Sequence, residues 1–318
     1  MKKKGCLITL FFLLCLSLQA QQEIRIARYF GNRQAAISYT FDDGLLEHYT
    51  EVFPRLKSHQ IRASFCVIGS TVGGYHKGTP CMTWSQLKEM AADGQEITSH
   101  GWQHKNVTKL TPWELRYEVQ HNDTVIWQYT GSFPRTYFYP GNRKSEEVIA
   151  FCSEDRVGTR VRQVDVGSRR SSAWLKHWVD SLLASQEWGV TMTHGIRHGY
   201  DAFKDPQILW EHLDYVCTKR DSIWVGTFHD VCAYIRERDA VSLEVNEGEG
   251  NTIIVPSLAL DSALFHHPLT LIIPDNITYA TQGEHHLTIY KNLGLQCIDI
   301  NPWAGQIELS TEPATVLR

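Results

Sequence analysis

Cysteine in this chain is poorly spaced for metal work. The 318 residues include eight, none in C-x-x-C spacing, which argues against a cysteine-built zinc site. Their wide scatter also excludes a small disulfide scaffold. Several sit in apolar contexts such as "SFCVIG" and read as buried thiols. An excess of positive charge is missing too. Lys and Arg number 31 against 35 Asp and Glu, a formal net charge of −4, so no basic face is on offer to a nucleic acid. There is no internal repeat and no low-complexity tract. Long apolar runs are absent after the first residues, so no later segment reads as a membrane span.

The first residues differ. "MKKKGCLITLFFLLCLSLQAQQ" has a basic start, an apolar core and the small residue Ala20. It reads as a secretory leader over 1–20, implying export to a bacterial periplasm or the outside. Its run from Cys6 to Leu18 is short for a span, which takes about 20 residues. A lipoprotein anchor would use Cys15, but Leu13 and Leu14 before it lack the small residue such a site needs. Removing 1–20 takes away three lysines and no acids, leaving a net charge of −7.

Hydrophobic residues make up 42% and charged residues 21%, an ordinary globular balance. From Ile24 to about Arg238, strand-like runs alternate with helical ones. "AAISYTF", "IRASFCVIG", "QEITSH", "TYFYPGN", "RVGTRVRQV", "WGVTMTHG" and "SIWVGTF" read as strands. Helices are signalled between them, one opened by Thr83, another by Thr111 and Pro112 and stopped by Gly131. This order predicts parallel strands in a barrel or wound sheet, with an active site at their C-terminal ends. After about Ala240, short strand-like runs punctuated by Gly, Asn and Pro predict a small all-β, sandwich-like domain over 241–318, with 21–240 forming the barrel domain.

Polar residues at the strand ends are the candidates for chemistry. "TFDDG" sets Asp42 and Asp43 side by side; alone, that is a turn. "TSHGWQH" sets His100 and His104 four apart; alone, in a chain with 15 histidines, that is an ordinary coincidence. Together, at the mouth of one barrel, one carboxylate and two imidazoles make a three-ligand set for catalytic zinc. His194 ends "VTMTH" and is the candidate general acid. His266–His267 and His285–His286 are adjacent pairs, and neighbours on a strand face opposite ways.

These residues carry a resemblance. The region from about Gln34 to Arg238 resembles the polysaccharide deacetylases of carbohydrate esterase family 4, which share the NodB-homology domain. "TFDDG" matches the first family motif, "SHGWQH" the second and "VTMTH" the fifth. The resemblance implies an α/β fold, a distorted (β/α) barrel of the NodB-homology type, to which the C-terminal β part is foreign. It implies Asp42 as general base, Asp43, His100 and His104 as ligands of a divalent metal, zinc by preference, and His194 as general acid. The substrate implied is an acetylated oligo- or polysaccharide, with N- or O-linked acetyl groups.

Three departures stand out. Gly101 replaces the Ser or Thr that follows the first motif histidine. In "FYPGN", Phe138 stands where the family's third motif has the arginine that partners the base. Arg143, three residues past Pro140, is the candidate to reach back, and the N–H of Gly141, beside Tyr139, the candidate for the oxyanion. The fourth motif has no clean match; Asp165 is the nearest residue to orient His194. Arg160, Arg162, Arg169 and Arg170 read as a solvated or substrate-facing cluster. Trp102 and Trp188 read as core or as sugar platforms, and His198 and Tyr200 as cleft lining. The missing arginine and the appended β domain open a second reading, a glycan-binding protein on a decayed deacetylase scaffold. A third is a hydrolase of another amide or ester. Oligomeric state is not legible.

Overall fold

A computed structural model describes residues 24–312. The leader read over 1–20 and the last residues, 313–318, lie outside them. In chain order the first strands are β1 (Arg25–Ile26), β2 (Ala35–Ser38), β3 (Thr40–Phe41) and β4 (Ser64–Val67). A small hairpin, β5 (Tyr75–His76) and β6 (Thr79–Pro80), follows. Then come β7 (Glu96–Ser99), β8 (Thr136–Phe138), β9 (Gly158–Arg160), β10 (Val164–Asp165), β11 (Trp188–Met192) and β12 (Ile223–Val225).

Apart from β1 and the hairpin, these strands pair in parallel, in the orders β10-β11-β2-β12 and β3-β4-β7-β8-β9. "AAISYTF", expected as one strand, breaks at Tyr39. Its lower half pairs β11 and β12, its upper half pairs β4, and Phe41 bridges Thr193 beyond β11. The two sheets therefore curl into one α/β half-barrel. "RVGTRVRQV" likewise splits into β9 and β10, which belong to different sheets. The seam beside them holds a cavity of about 610 Å³ lined by Val164, Trp178, Leu182, Val190 and Phe228.

The helices are α1 (Phe53–Ser58), α2 (Trp84–Ala92), α3 (Pro112–Arg116), α4 (Asn122–Thr130), α5 (Glu146–Ser153), α6 (Ser172–Ser185), α7 (Gln207–Cys217) and α8 (Phe228–Ala240). Their ends obey local chemistry. Thr83 and Gln86 form a capping box on α2, and Thr111 and Glu114 one on α3, with Pro112 at its first turn. Gly131 closes α4 at φ 81, a left-handed value that costs glycine little. Two segments are wound as π-helix, His48–Val52 before α1 and Tyr117–His121 between α3 and α4. A π-turn re-aims side chains and is found often at functional sites; here the two turns carry His48 and Glu118, both buried. Apolar residues of the sheet, such as Ile37, Phe41 and Phe65, pack with Leu56, Leu87, Leu175 and Leu213 from α1, α2, α6 and α7.

The expected β-rich C-terminal region is present. Its strands are β13 (Val241–Glu247), β14 (Asn251–Leu258), β15 (Leu269–Ile273), β16 (Tyr279–Gln282), β17 (His285–His286), β18 (Tyr290–Asn292), β19 (Leu295–Ile300) and β20 (Ile307–Ser310). They form two antiparallel sheets, β1-β15-β19-β18 and β13-β14-β20-β16-β17. β1 thus belongs with this region, pairing Arg25 with Ile272. Ile254, Leu271, Ile298 and Leu309 share one core with Ala36, Trp224 and Tyr234 from the half-barrel. Burying a large apolar side chain is worth roughly 1.5–3 kcal/mol, so this shared core ties the β region firmly to the back of the barrel. Among the described residues no helix is long and apolar enough to cross a membrane, and the six cysteines there are all unpaired.

Candidate metal centre and active site

The ends of β3, β7, β8 and β11 converge on a cleft of about 320 Å³. Asp42 follows β3 directly, and its N–H donates to Thr193 O at 2.8 Å, which ties the strand end to the residue before His194. Asp43 has φ 74 and Gly44 φ 69. A left-handed aspartate is sparsely populated and persists only where its surroundings hold it. His104 is held similarly, at φ 58.

Asp42 is almost fully buried, and Arg160 at the end of β9 meets it with both terminal nitrogens. Nη1 donates to Oδ1 at 2.7 Å and Nη2 to Oδ2 at 2.5 Å. Burial alone would push the Asp42 carboxyl up; the Arg160 guanidinium, with its hydrogen bonds, and His100 and His194 nearby hold it well below the usual carboxylate range. Arg160 was expected in a solvated or substrate-facing cluster, but it is 1% exposed. Arg143, the expected partner of the base, is exposed instead. The ladder explains the exchange. β8 and β9 are neighbours, with Phe138 paired to Arg160, so the arginine comes from the strand next to the expected one.

Asp43 Oδ1 lies 3.5 Å from His100 Nε2 and 3.6 Å from His104 Nε2. The three residues bring donor atoms within 4.8 Å of one another. His100 Nδ1–H donates to Phe138 O at 2.8 Å, which turns Nε2 into the cleft. Burial pushes both imidazoles down, His104 to about 4, with His100 adding to that effect. Neutral imidazoles are the form that binds a cation. Asp43 Oδ1 is buried and has no hydrogen-bond partner. An orphaned carboxylate oxygen facing two neutral imidazoles fits a divalent cation.

His194 faces the same cleft, with Nε2 4.0 Å from Asp42 Oδ2. His48 steadies it through the main chain, donating from Nε2 to His194 O at 2.7 Å. Tyr200 packs edge-on against the imidazole at 4.9 Å. Asp165 does not orient His194. Its carboxylate takes Arg169 at 3.3 Å, and His194 Nδ1 is buried without a partner. Tyr139 and Gly141 line the cleft, the tyrosine hydroxyl donating to Thr159 Oγ1 at 2.9 Å. Trp102 packs on His121 and Trp188 on Phe228, so neither ring faces the cleft lining. His198 is exposed beside Glu47.

Sequence reasoning passed over three residues. Arg160 stood in a run of arginines with nothing to single it out. His76, on the hairpin, lies 3.7 Å from Asp43 Oδ2. Glu118 is 1% exposed, and its Oε1 accepts N–H bonds from Gln103 and Lys105, flanking His104, at 2.8 and 3.0 Å. A glutamate in the middle of an amphipathic helix carries no sequence mark of that duty.

Comparison with known proteins agrees with the motif reading. A family model described as polysaccharide deacetylase matches residues 31–155. The Bacillus subtilis (strain 168) protein YxkH is 29% identical over 116 residues, 36% of this chain and 40% of that protein. The peptidoglycan-N-acetylglucosamine deacetylase PgdA of Listeria monocytogenes is 31% identical over 113 residues, 35% of this chain and 22% of that protein. The chain therefore spans well under half the length of these curated relatives. Among solved structures, the Bc1960 peptidoglycan N-acetylglucosamine deacetylase aligns over 63% of this chain and 88% of its own, at 20% identity and a TM-score of 0.48. The resemblance drawn from "TFDDG" and "SHGWQH" to the polysaccharide deacetylases is borne out over the matched stretch.

Proposed function

We propose that this chain is an exported, metal-dependent hydrolase that removes acetyl groups, N- or O-linked, from an acetylated glycan. The observation that carries the reading is the meeting of Asp42, Asp43, His100, His104 and His194 at one cleft, with Arg160 on Asp42. PgdA, a relative, is named as a peptidoglycan deacetylase, which supports the substrate class. The unit at work is the half-barrel part of 21–240, with β1 and the described strands of 241–312 packed against it.

Asp43, His100 and His104 would hold the cation. Zinc suits this donor set, and when bound it polarises an acyl carbonyl and acidifies a water. Asp42 is the base. Kept ionised by Arg160, it takes the proton of the attacking water. His194, across the cleft, gives a proton to the departing sugar nitrogen or oxygen. Gly141 lines the cleft, and its N–H is the donor offered to the developing oxyanion. Lys77 and Tyr200 line the same cleft and offer contacts to the sugar. The segment 1–20 acts as the leader for export.

The reading is tested by acetate release from a panel of acetylated oligosaccharides, with and without a chelator. Release abolished by the chelator and restored by zinc is expected. Glycan binding with no release from any member would favour the decayed-scaffold reading instead. That reading drew on a missing arginine and on the appended β domain; Arg160 on Asp42 answers the first of these.

A further inference from the structure

We propose that His76 belongs to the metal centre as a positioning residue. Its Nε2–H donates to the Asp43 oxygen turned away from His100 and His104, and so sets that carboxylate for the cation. The inference rests on the metal-centre reading above.

Two buried atoms in one place lack partners. Asp43 Oδ1 faces His100 and His104; His76 Nε2, also unpartnered, lies 3.7 Å from Asp43 Oδ2. Among the described residues, no hydrogen bond ends on either oxygen of Asp43. A carboxylate that gives one oxygen to a metal ordinarily has the other held by a donor. His76 is the imidazole placed to do so, its ring 5.3 Å from that of His104. The gap exceeds a hydrogen bond by about 0.5–1 Å, a distance that a small rotation of the side chain closes.

The hairpin that carries His76 is anchored to the site. Lys77 and Gly78, at φ 48 and 81, make its tight turn. Cys81 N–H donates to Gly74 O, and Met82 N–H donates to Gly44 O, both at 2.9 Å. Gly44 follows Asp43 directly, so the strand leaving the hairpin is tied to the backbone that presents the ligand. On the other side Thr79 packs against Gly199, in the loop after His194, where a Cβ would come within 3.0 Å of its hydroxyl. His76 falls outside the set of donor atoms within 4.8 Å of one another, which favours an outer role over direct ligation.

The test uses the full chain and the metal itself. Zinc affinity is measured by competition with a chromophoric chelator for the native chain, His76→Ala and His76→Gln, with circular dichroism to verify folding. His76→Ala is expected to weaken zinc binding about 10- to 100-fold, and His76→Gln, which keeps a donor, to recover most of it. X-ray absorption of the bound zinc should count the same two imidazoles in the native chain and in His76→Ala. Unchanged affinity in folded His76→Ala overturns the proposal. So does the loss of one imidazole from the zinc shell, which would make His76 a direct ligand. These readouts do not depend on acetate release. A chain that binds zinc normally but deacetylates nothing sinks the substrate reading alone, and one that takes up no zinc sinks the metal centre and this proposal together.

Discussion

Arg160 sets its two terminal nitrogens on the two carboxylate oxygens of Asp42, at 2.7 and 2.5 Å, and rests its guanidinium 4.3 Å over the ring of Phe138. Phe138 stands where the resemblance led one to expect an arginine. The charge comes instead from β9, the strand next to β8, and Phe138 forms the apolar floor beneath it. The planar guanidinium suits both jobs, because it can fork onto a carboxylate and stack on an aromatic face at once.

Replacing Arg160 should therefore be costly in two separable ways. Arg160→Ala leaves a buried carboxylate without its countercharge and should destabilise the chain by about 3–5 kcal/mol, read from urea unfolding. Arg160→Lys keeps the charge and loses the fork. It should fold, and lose about 10²-fold in the rate of acetate release.

The two adjacent aspartates should part company under mutation. Asp43→Ala is expected to lose bound zinc and activity together. Asp42→Asn should keep the zinc and lose about 10²- to 10⁴-fold in kcat. Metal content by elemental analysis, beside acetate release, checks both; stoichiometric zinc in Asp43→Ala would contradict its ligand role.

Gly101 does not tolerate a serine, the residue type the resemblance leads one to expect there. It sits at φ 78, and a Cβ there would come within 2.7 Å of Glu118 Oε1, the atom that holds the N–H groups of Gln103 and Lys105. Gly101→Ser should lower Tm by several degrees and weaken zinc binding, because the loop carrying His104 must shift. Unchanged Tm and zinc affinity would contradict that account.

A pH-dependent stability term is built into the back of the barrel. Glu237, on α8, is fully buried; its Oε1 accepts His267 N–H at 2.9 Å and its Oε2 has no partner. Burial pushes its carboxyl up from 4.5 to about 7, with the His267 N–H and His229 opposing. Between those values the folded chain holds a proton that the unfolded chain has released. Stability from this group therefore falls as pH rises through the window and is flat above it. Glu237→Gln should match the native chain near pH 5 and exceed it by roughly 1–3 kcal/mol at pH 8, measured by unfolding at the two pH values.

What could be read in advance was what neighbours in sequence determine. The caps at Thr83 and Thr111 and the stop at Gly131 follow from residues within one turn. Asp42 with Asp43, and His100 with His104, each lie within five positions, so their shared cleft followed once parallel strands were recognised. Where the reading fell short, partners were set by the sheet. Nothing local in "AAISYTF" says that its halves pair different strands. Nothing in "GTRVRQ" says that Arg160 turns inward while Arg162 does not join it, since that depends on β9 lying beside β8. Asp165 was near His194 by strand order, yet its own neighbour Arg169 claimed it. Nothing local in "HHLTIYKNL" says that its two ends fall in different sheets as β17 and β18.

β1 has a consequence for how the chain is made. Its partner for Arg25 is Ile272, so a strand synthesised among the first must wait for most of the polypeptide before it can pair. Contacts of such long sequence separation form late and slowly. The half-barrel, whose parallel strands are complete by Val225, is free to assemble while β1 is still single. Ile26 of β1 packs against the core that holds Trp224 and Tyr234, so that core is complete only once β15 has been made and β1 has paired with it.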